Sequence, residues 1–211
     1  MNTFITHDMD FYWIRCLFTV IHLNNHRKFT EHTKKKGKAF YWKPNSLKVG
    51  GILSMFSSDS LPAKGIYTLI LFISSGAEFV IGKLGTQLFS KGYYTYTGSA
   101  LGNGASSLKN RISRHLLTDK RKFWHIDFLL AHEDATVISI IVAKAEKKYE
   151  CEINHYIKEK GKAQIPFLGF GSSDCRERCK SHLLYFGETN PERKIDELYT
   201  QKFKLHLFLR I

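Results

Sequence analysis

Two tyrosine tripeptides, Gly65-Ile66-Tyr67 and Tyr96-Thr97-Gly98, precede Arg111 and His115, and Glu150 follows them. Arg111 and His115 stand four positions apart, a spacing that puts both on one face if the segment is helical. Cutting a phosphodiester needs a group that activates or orients water, a metal held against a non-bridging oxygen, and positive charge to offset what develops in the transition state. Tyrosine, histidine, glutamate and arginine are residue types that fill those roles. Each also has a plainer use. Strand tyrosines pack with their hydroxyls hydrogen-bonded, and Lys109, Arg111 and Arg114 form the kind of basic cluster that often covers a solvated helix face. Beside the glycine-rich turn at 98–104, the same helix suits contact with phosphate. That turn lacks the Gly-Lys-Ser/Thr ending of a nucleotide-binding loop, so its simpler role is a tight bend that lets backbone approach a phosphate.

The elements that must carry these residues follow from the apolar pattern. Residues 68–73 are rich in β-formers, 74–77 read as a turn and 78–81 resume a strand, which together predict a hairpin. A strand at 93–97 follows. Leu108, Ile112, His115 and Leu116 recur at helical spacing with basic residues between them, predicting a basic amphipathic helix. A short helix at 123–130, a buried β-branched strand at 136–143 and a helix at 146–160 stopped by Gly161 complete the order β-β-β-α-α-β-α, an α/β sandwich. Residues 182–186 add a last short strand, and 188–211 read as a charged, then apolar, tail.

A chain of 211 residues, 43% hydrophobic and 14% aromatic, can bury a core. Its formal charge of +13 draws polyanions, which makes nucleic acid the first partner to consider. The longest apolar run, 66–73, is far shorter than the roughly 20 residues of a spanning helix, so no membrane segment is expected. The first ten residues lack the pattern of an export signal, and four cysteines in this length do not make a disulfide framework, which points to a reducing cytoplasm. Residues 1–60, with a basic stretch at 34–38, read as an extension to a domain at 64–187, and Met55 would make a natural start for that compact part.

The ordered set of motifs resembles the GIY-YIG nuclease superfamily, and most closely its Uri-type branch, through Lys83-Leu84-Gly85, Gly98-Ser99-Ala100, Arg114-His115, Trp124-His125-Ile126-Asp127 and the run Gly169-Phe170-Gly171-Ser172-Ser173-Asp174-Cys175. The resemblance implies a small α/β sandwich with a three-stranded, mainly antiparallel sheet flanked by helices. It implies a metal-dependent endonuclease acting on DNA, with Tyr67 as base or water-orienting group, Tyr96 as its partner near the phosphate, Arg111 steadying the phosphate and His115 hydrogen-bonding among them. Glu150 would hold Mg2+ or Mn2+. Gly98, Ser99, Lys109 and Arg114 would contact nucleic acid. No separate DNA-reading domain is evident, so weak sequence preference is expected. The alternatives are a binding module of the same fold without turnover and an adaptor for a protein partner. Three departures stand out: the two tyrosines lie further apart than the pattern, leaving an extra segment at 78–92; Thr97 replaces isoleucine; and Glu152 competes with Glu150, although two helical positions differ by about 200° and only one can face a cleft.

Trp124, His125 and Asp127 read as a packed aromatic with a local hydrogen-bonded pair. Cys175, Cys179 and His182 make a Cys-x3-Cys-x2-His string that Cys151 would complete into a tetrahedral zinc site if the fold brought it near. Ordinary buried thiols are the competing reading.

Overall fold

The computed structural model describes residues 61–203 and 206–211. The expected extension over 1–60 and the start at Met55 lie outside the described residues. The described residues form seven strands, β1 (Gly65–Ile73), β2 (Ala77–Val80), β3 (Thr86–Phe89), β4 (Gly92–Ala100), β5 (Ala135–Lys144), β6 (Leu183–Tyr185) and β7 (His206–Arg210). The helices are α1 (Leu108–Leu116), α2 (His125–Leu129), α3 (Glu150–Gly161) and α4 (Glu192–Lys202). Five strands make one sheet in the order β6-β4-β1-β5-β7, every neighbouring pair antiparallel, while β2 and β3 pair separately.

The unbroken apolar character of β1 explains its central place, because a strand buried on both faces gains from every side chain. Tyr67, Leu69, Leu71 and Ile73 enter a core completed by Leu108 and Ile112 of α1, Ile126 and Leu129 of α2, and Phe79 and Phe89 of the β2–β3 hairpin. Ile66 and Ile70 turn the other way, to Ile153 and Ile157 of α3 and Ile195, Leu198 and Tyr199 of α4. The sheet is thus covered on both sides, and each fully buried aliphatic side chain contributes roughly 1.5–3 kcal/mol. Among the described residues no helix is long and apolar enough to cross a membrane.

The mixed α/β class and the antiparallel sheet flanked by helices agree with expectation, but the sheet has five strands rather than three. Two come from the C-terminal part: β6 pairs with β4, and β7, inside the stretch expected as a tail, pairs with β5. The predicted hairpin of β1 with the next strand does not form either. Ser74 and Ser75 both donate to Asp134 Oδ1, at 2.7 and 2.9 Å, which ties the end of β1 to the start of β5. With that edge taken by β5 and the other by β4, β2 pairs with β3 instead. The extra segment is this β2–β3 hairpin. Helix α3 starts at Glu150 rather than 146, and Gly161 is its last helical residue rather than its stop, the left-handed cap being Lys162 (φ 55°). Gly161 serves close packing: a Cβ there would lie 3.0 Å from the Phe186 ring.

Candidate functional site

Strand β1 delivers Tyr67 and its neighbour β4 delivers Tyr96 to the same sheet face, against α1. Tyr67, Tyr96, Gly98, Ser99, Arg111 and Glu150 all line one open cleft of about 960 Å³. Tyr67 is 1% exposed, and its hydroxyl lies 2.8 Å from His115 Nε2. Helical spacing places His115 one turn beyond Arg111 on α1, so the imidazole reaches under Tyr67 while Arg111 stays at the cleft wall. The Tyr96 ring meets His115 edge to face, with centroids 6.2 Å apart. Gly98 stands opposite Tyr67 in the strand register, and a Cβ there would sit 2.6 Å from Tyr67 Cζ. Glycine at this position is what lets the tyrosine lie flat across the strand.

Burial sets the protonation states. His115 is pushed down to about 3, first by desolvation and then by the Lys120 charge, so it is neutral at ordinary pH. Burial, with Tyr96 adding to it, raises the Tyr67 phenol well above its usual range, although Arg111 pulls the other way. Tyr96 is raised too, again chiefly by burial. A resting tyrosinate is therefore disfavoured. Tyr67 is a neutral hydroxyl that can donate a hydrogen bond to His115 Nε2 while its oxygen, beside the Arg111 charge, stays an acceptor toward the cleft. Three buried atoms here have no hydrogen-bond partner: Arg111 Nε, His115 Nδ1 and Glu150 Oε2. Buried polar atoms left unpartnered are costly, and two of these three, on Arg111 and Glu150, belong to residues that line the cleft, where a ligand could bond them, whereas His115 lies behind it.

The structure separates the two glutamates. Glu150 opens α3 and faces the cleft, whereas Glu152 turns to α4 and pairs with Lys202 at 2.7 Å. Lys109 is exposed on α1 and is not among the cleft-lining residues. Arg114 is engaged elsewhere, bonding Asp127 Oδ2 at 2.7 Å and the Arg121 carbonyl at 2.6 Å. Asp127 is fully buried and also accepts from the Phe123 and Trp124 amides. Burial alone would raise its carboxyl, but those amides and Arg114 bring it below the ordinary carboxylate range. Trp124 does more than pack, because the Arg111 guanidinium lies 4.5 Å from its ring centre and both line the cleft. The neutral Nδ1 of His125 accepts from the Gly171 amide at 3.1 Å, fastening α2 to the loop before β6.

Sequence reasoning missed the cleft's basic rim. Lys83, from the inserted hairpin segment, joins Lys122, Lys148 and Arg176 along it, outnumbering Asp174 and Glu177 in the same lining. The conspicuous charge gave a signal for such a rim, but not for which of 32 lysines and arginines would form it. Cys151, Cys175 and His182 of the cleft wall gather with Cys179 behind them, their four ligand atoms all within 4.8 Å of one another, a set that could hold a metal ion. Thr97, the departure from isoleucine, hydrogen-bonds Thr68 at 3.0 Å, and Thr68 in turn meets the Tyr199 hydroxyl at 2.8 Å. Its polarity is thereby accounted for on the sheet face away from the cleft.

No curated protein and no solved structure matches the chain. A family match covers residues 66–204, which takes in both tyrosines, α1, Glu150 and the cysteine–histidine cluster, and the chain belongs to the family described as domain of unknown function DUF123.

Proposed function

We propose that the chain is a metal-dependent endonuclease of the GIY-YIG type that hydrolyses phosphodiester bonds in DNA. The observation that carries this reading is the meeting of Tyr67, Tyr96, Arg111 and Glu150 in one cleft whose rim is basic. Arg111, held over Trp124, places a permanent positive charge where a phosphate would enter, and its unpartnered Nε is a donor awaiting an acceptor. Lys83, Lys122, Lys148 and Arg176 face the flanking phosphates. Tyr67 donates to neutral His115 and orients water with its oxygen beside the Arg111 charge, and Tyr96 narrows the site next to it. The low proton affinity of His115 makes a lasting imidazolium unfavourable, so this pair positions and polarises water rather than storing its proton.

The orphaned Glu150 Oε2 fits a hard cation. Held there, Mg2+ or Mn2+ would supply Lewis-acid stabilisation of phosphoryl oxygen charge. The cationic side chains of the cleft suit phosphate, whose contacts carry no base information, so cutting has weak sequence preference and selects, if at all, by the shape of the substrate.

Cleavage of labelled single-stranded, duplex and branched DNA, with RNA alongside, tests this in Mg2+ or Mn2+ using wild type, Glu150→Ala and Arg111→Ala. Metal-dependent cutting lost in both variants is the expected result. Salt-sensitive binding by all three proteins without cutting of any substrate would replace the nuclease by a binding module, and weak, salt-insensitive binding would favour a protein adaptor.

A further inference from the structure

We propose that Cys151, Cys175, Cys179 and His182 bind a structural zinc ion that clamps the start of α3, and with it Glu150, to the loop that leads into β6. The four residues come from separate parts of the chain: Cys151 lies in the first turn of α3, Cys175 and Cys179 on the loop, and His182 immediately before β6. Cys151 Sγ stands 3.6 Å from His182 Nε2 and 3.3 Å from Cys175 Sγ. A tetrahedron built on zinc–sulfur bonds of about 2.3 Å and zinc–nitrogen bonds of about 2.0 Å has edges of roughly 3.8 Å between sulfurs and 3.5 Å between sulfur and nitrogen. The observed separations bracket those edges, and since all four atoms lie within 4.8 Å, a cation at their centre needs shifts of under about 1 Å. The sulfur pair is meanwhile far outside the roughly 2.05 Å of a disulfide.

The donor set chooses the metal. Three thiolates and one imidazole are soft to borderline ligands that suit zinc, whereas magnesium and manganese prefer oxygen. Four protein ligands also fill a tetrahedron, leaving no position for substrate, which is the mark of a structural ion. The local backbone is shaped to present them. Between Cys175 and Cys179, Arg178 adopts φ 54°, a left-handed conformation that a non-glycine residue takes at some cost. His182 is fixed from both sides, its amide donating to the Phe170 carbonyl and its carbonyl accepting from the Thr97 amide.

The clamp acts on the cleft through adjoining residues. Cys151 follows Glu150, the His182 carbonyl accepts a hydrogen bond from the amide of Thr97, the residue after Tyr96, and the loop bearing Cys175 also carries Asp174 and Arg176 into the cleft wall. Zinc would hold these three pieces in one arrangement. Its function is independent of whether the cleft cuts DNA.

The test is metal analysis of the full chain purified under reducing conditions without chelator. About one zinc per chain is expected, falling below about a tenth in Cys175→Ser/Cys179→Ser. Replacement by cobalt should give intense visible d–d bands with thiolate charge-transfer bands in the near ultraviolet, and Cys179→His, which keeps four ligands, should retain the ion with shifted bands. The histidine variant guards against loss of zinc through misfolding alone. Metal-free protein that takes up neither zinc nor cobalt, a Cys151–Cys175 disulfide in the reduced preparation, or bound iron in place of zinc would each overturn the proposal.

Discussion

Replacing Tyr67 by phenylalanine removes one oxygen and nothing else, which makes it the cleanest perturbation of the site. The lost bond is the 2.8 Å contact to His115 Nε2, and His115 Nδ1 already lacks a partner, so the variant leaves an imidazole with neither nitrogen bonded. Both residues are almost wholly inaccessible, and water cannot easily take the vacated place because Gly98 lies close against the ring. An unsatisfied buried polar atom costs about 1–3 kcal/mol, and the ring itself leaves no cavity, so the whole effect should fall in that range. With a typical domain stability of about 5–15 kcal/mol the variant stays folded. Urea denaturation measures the loss. Removing the second partner as well, in Tyr67→Phe/His115→Phe, replaces a polar pair by an apolar one and should recover part of the stability. Cleavage should behave differently: a fall of about 100-fold or more in Tyr67→Phe, with no recovery in the double variant. Wild-type stability in the single variant would refute the hydrogen-bond argument, and wild-type cleavage in either would remove Tyr67 from the chemistry.

Because His115 is held down to about 3 against an ordinary 6.5, the unfolded chain binds a proton that the folded one refuses between those values. Stability is therefore full above pH 6.5 and declines on acidification by up to about 1.4 kcal/mol per pH unit; His115→Asn should flatten that slope in denaturation curves, and an unchanged slope would contradict the burial argument. Gly98→Ala forces a methyl against Tyr67 and should cost about 1–3 kcal/mol by the same measurement, together with activity, since the ring must move. If Lys83 and Lys122 each face a phosphate, replacing both by alanine should lower the slope of log binding constant against log salt by about 1.8 for duplex DNA, and a slope unaltered within error would take them off the path of the backbone.

How far the sequence could be read depends on the range of the interaction. Helix α1 was legible in its own spacing, since Leu108, Ile112 and His115 recur on one side and are the buried residues of the helix. Helical geometry alone says that Glu150 and Glu152 point apart but not which of them faces the cleft; that depends on the packing of α3 against α4, where Glu152 meets Lys202. Pairing partners were another matter. Nothing within 68–81 reveals that Asp134, some sixty residues on, captures the serines of the turn and sends β2 to another partner. Likewise the Cys175–His182 string is a local pattern, while the approach of Cys151 depends on how α3 packs. The role of Tyr199 was hidden for the same reason: its hydroxyl meets Thr68 across 131 positions, a contact that local composition does not encode.

The place of β1 in the sheet also has a consequence in time. It emerges first among the described sheet strands, yet β5, its partner along one whole edge, is made only after some seventy further residues. Until then the uncharged segment Ile66–Ile73 has an open edge and few reasons to remain soluble. Long-range pairing of this kind slows folding, because the intervening loop must be closed before its contacts reward it. The residues that make the finished sheet rigid are thus those most exposed to a wrong partner while the chain is being completed, and the yield of native protein should depend on how quickly β5 arrives.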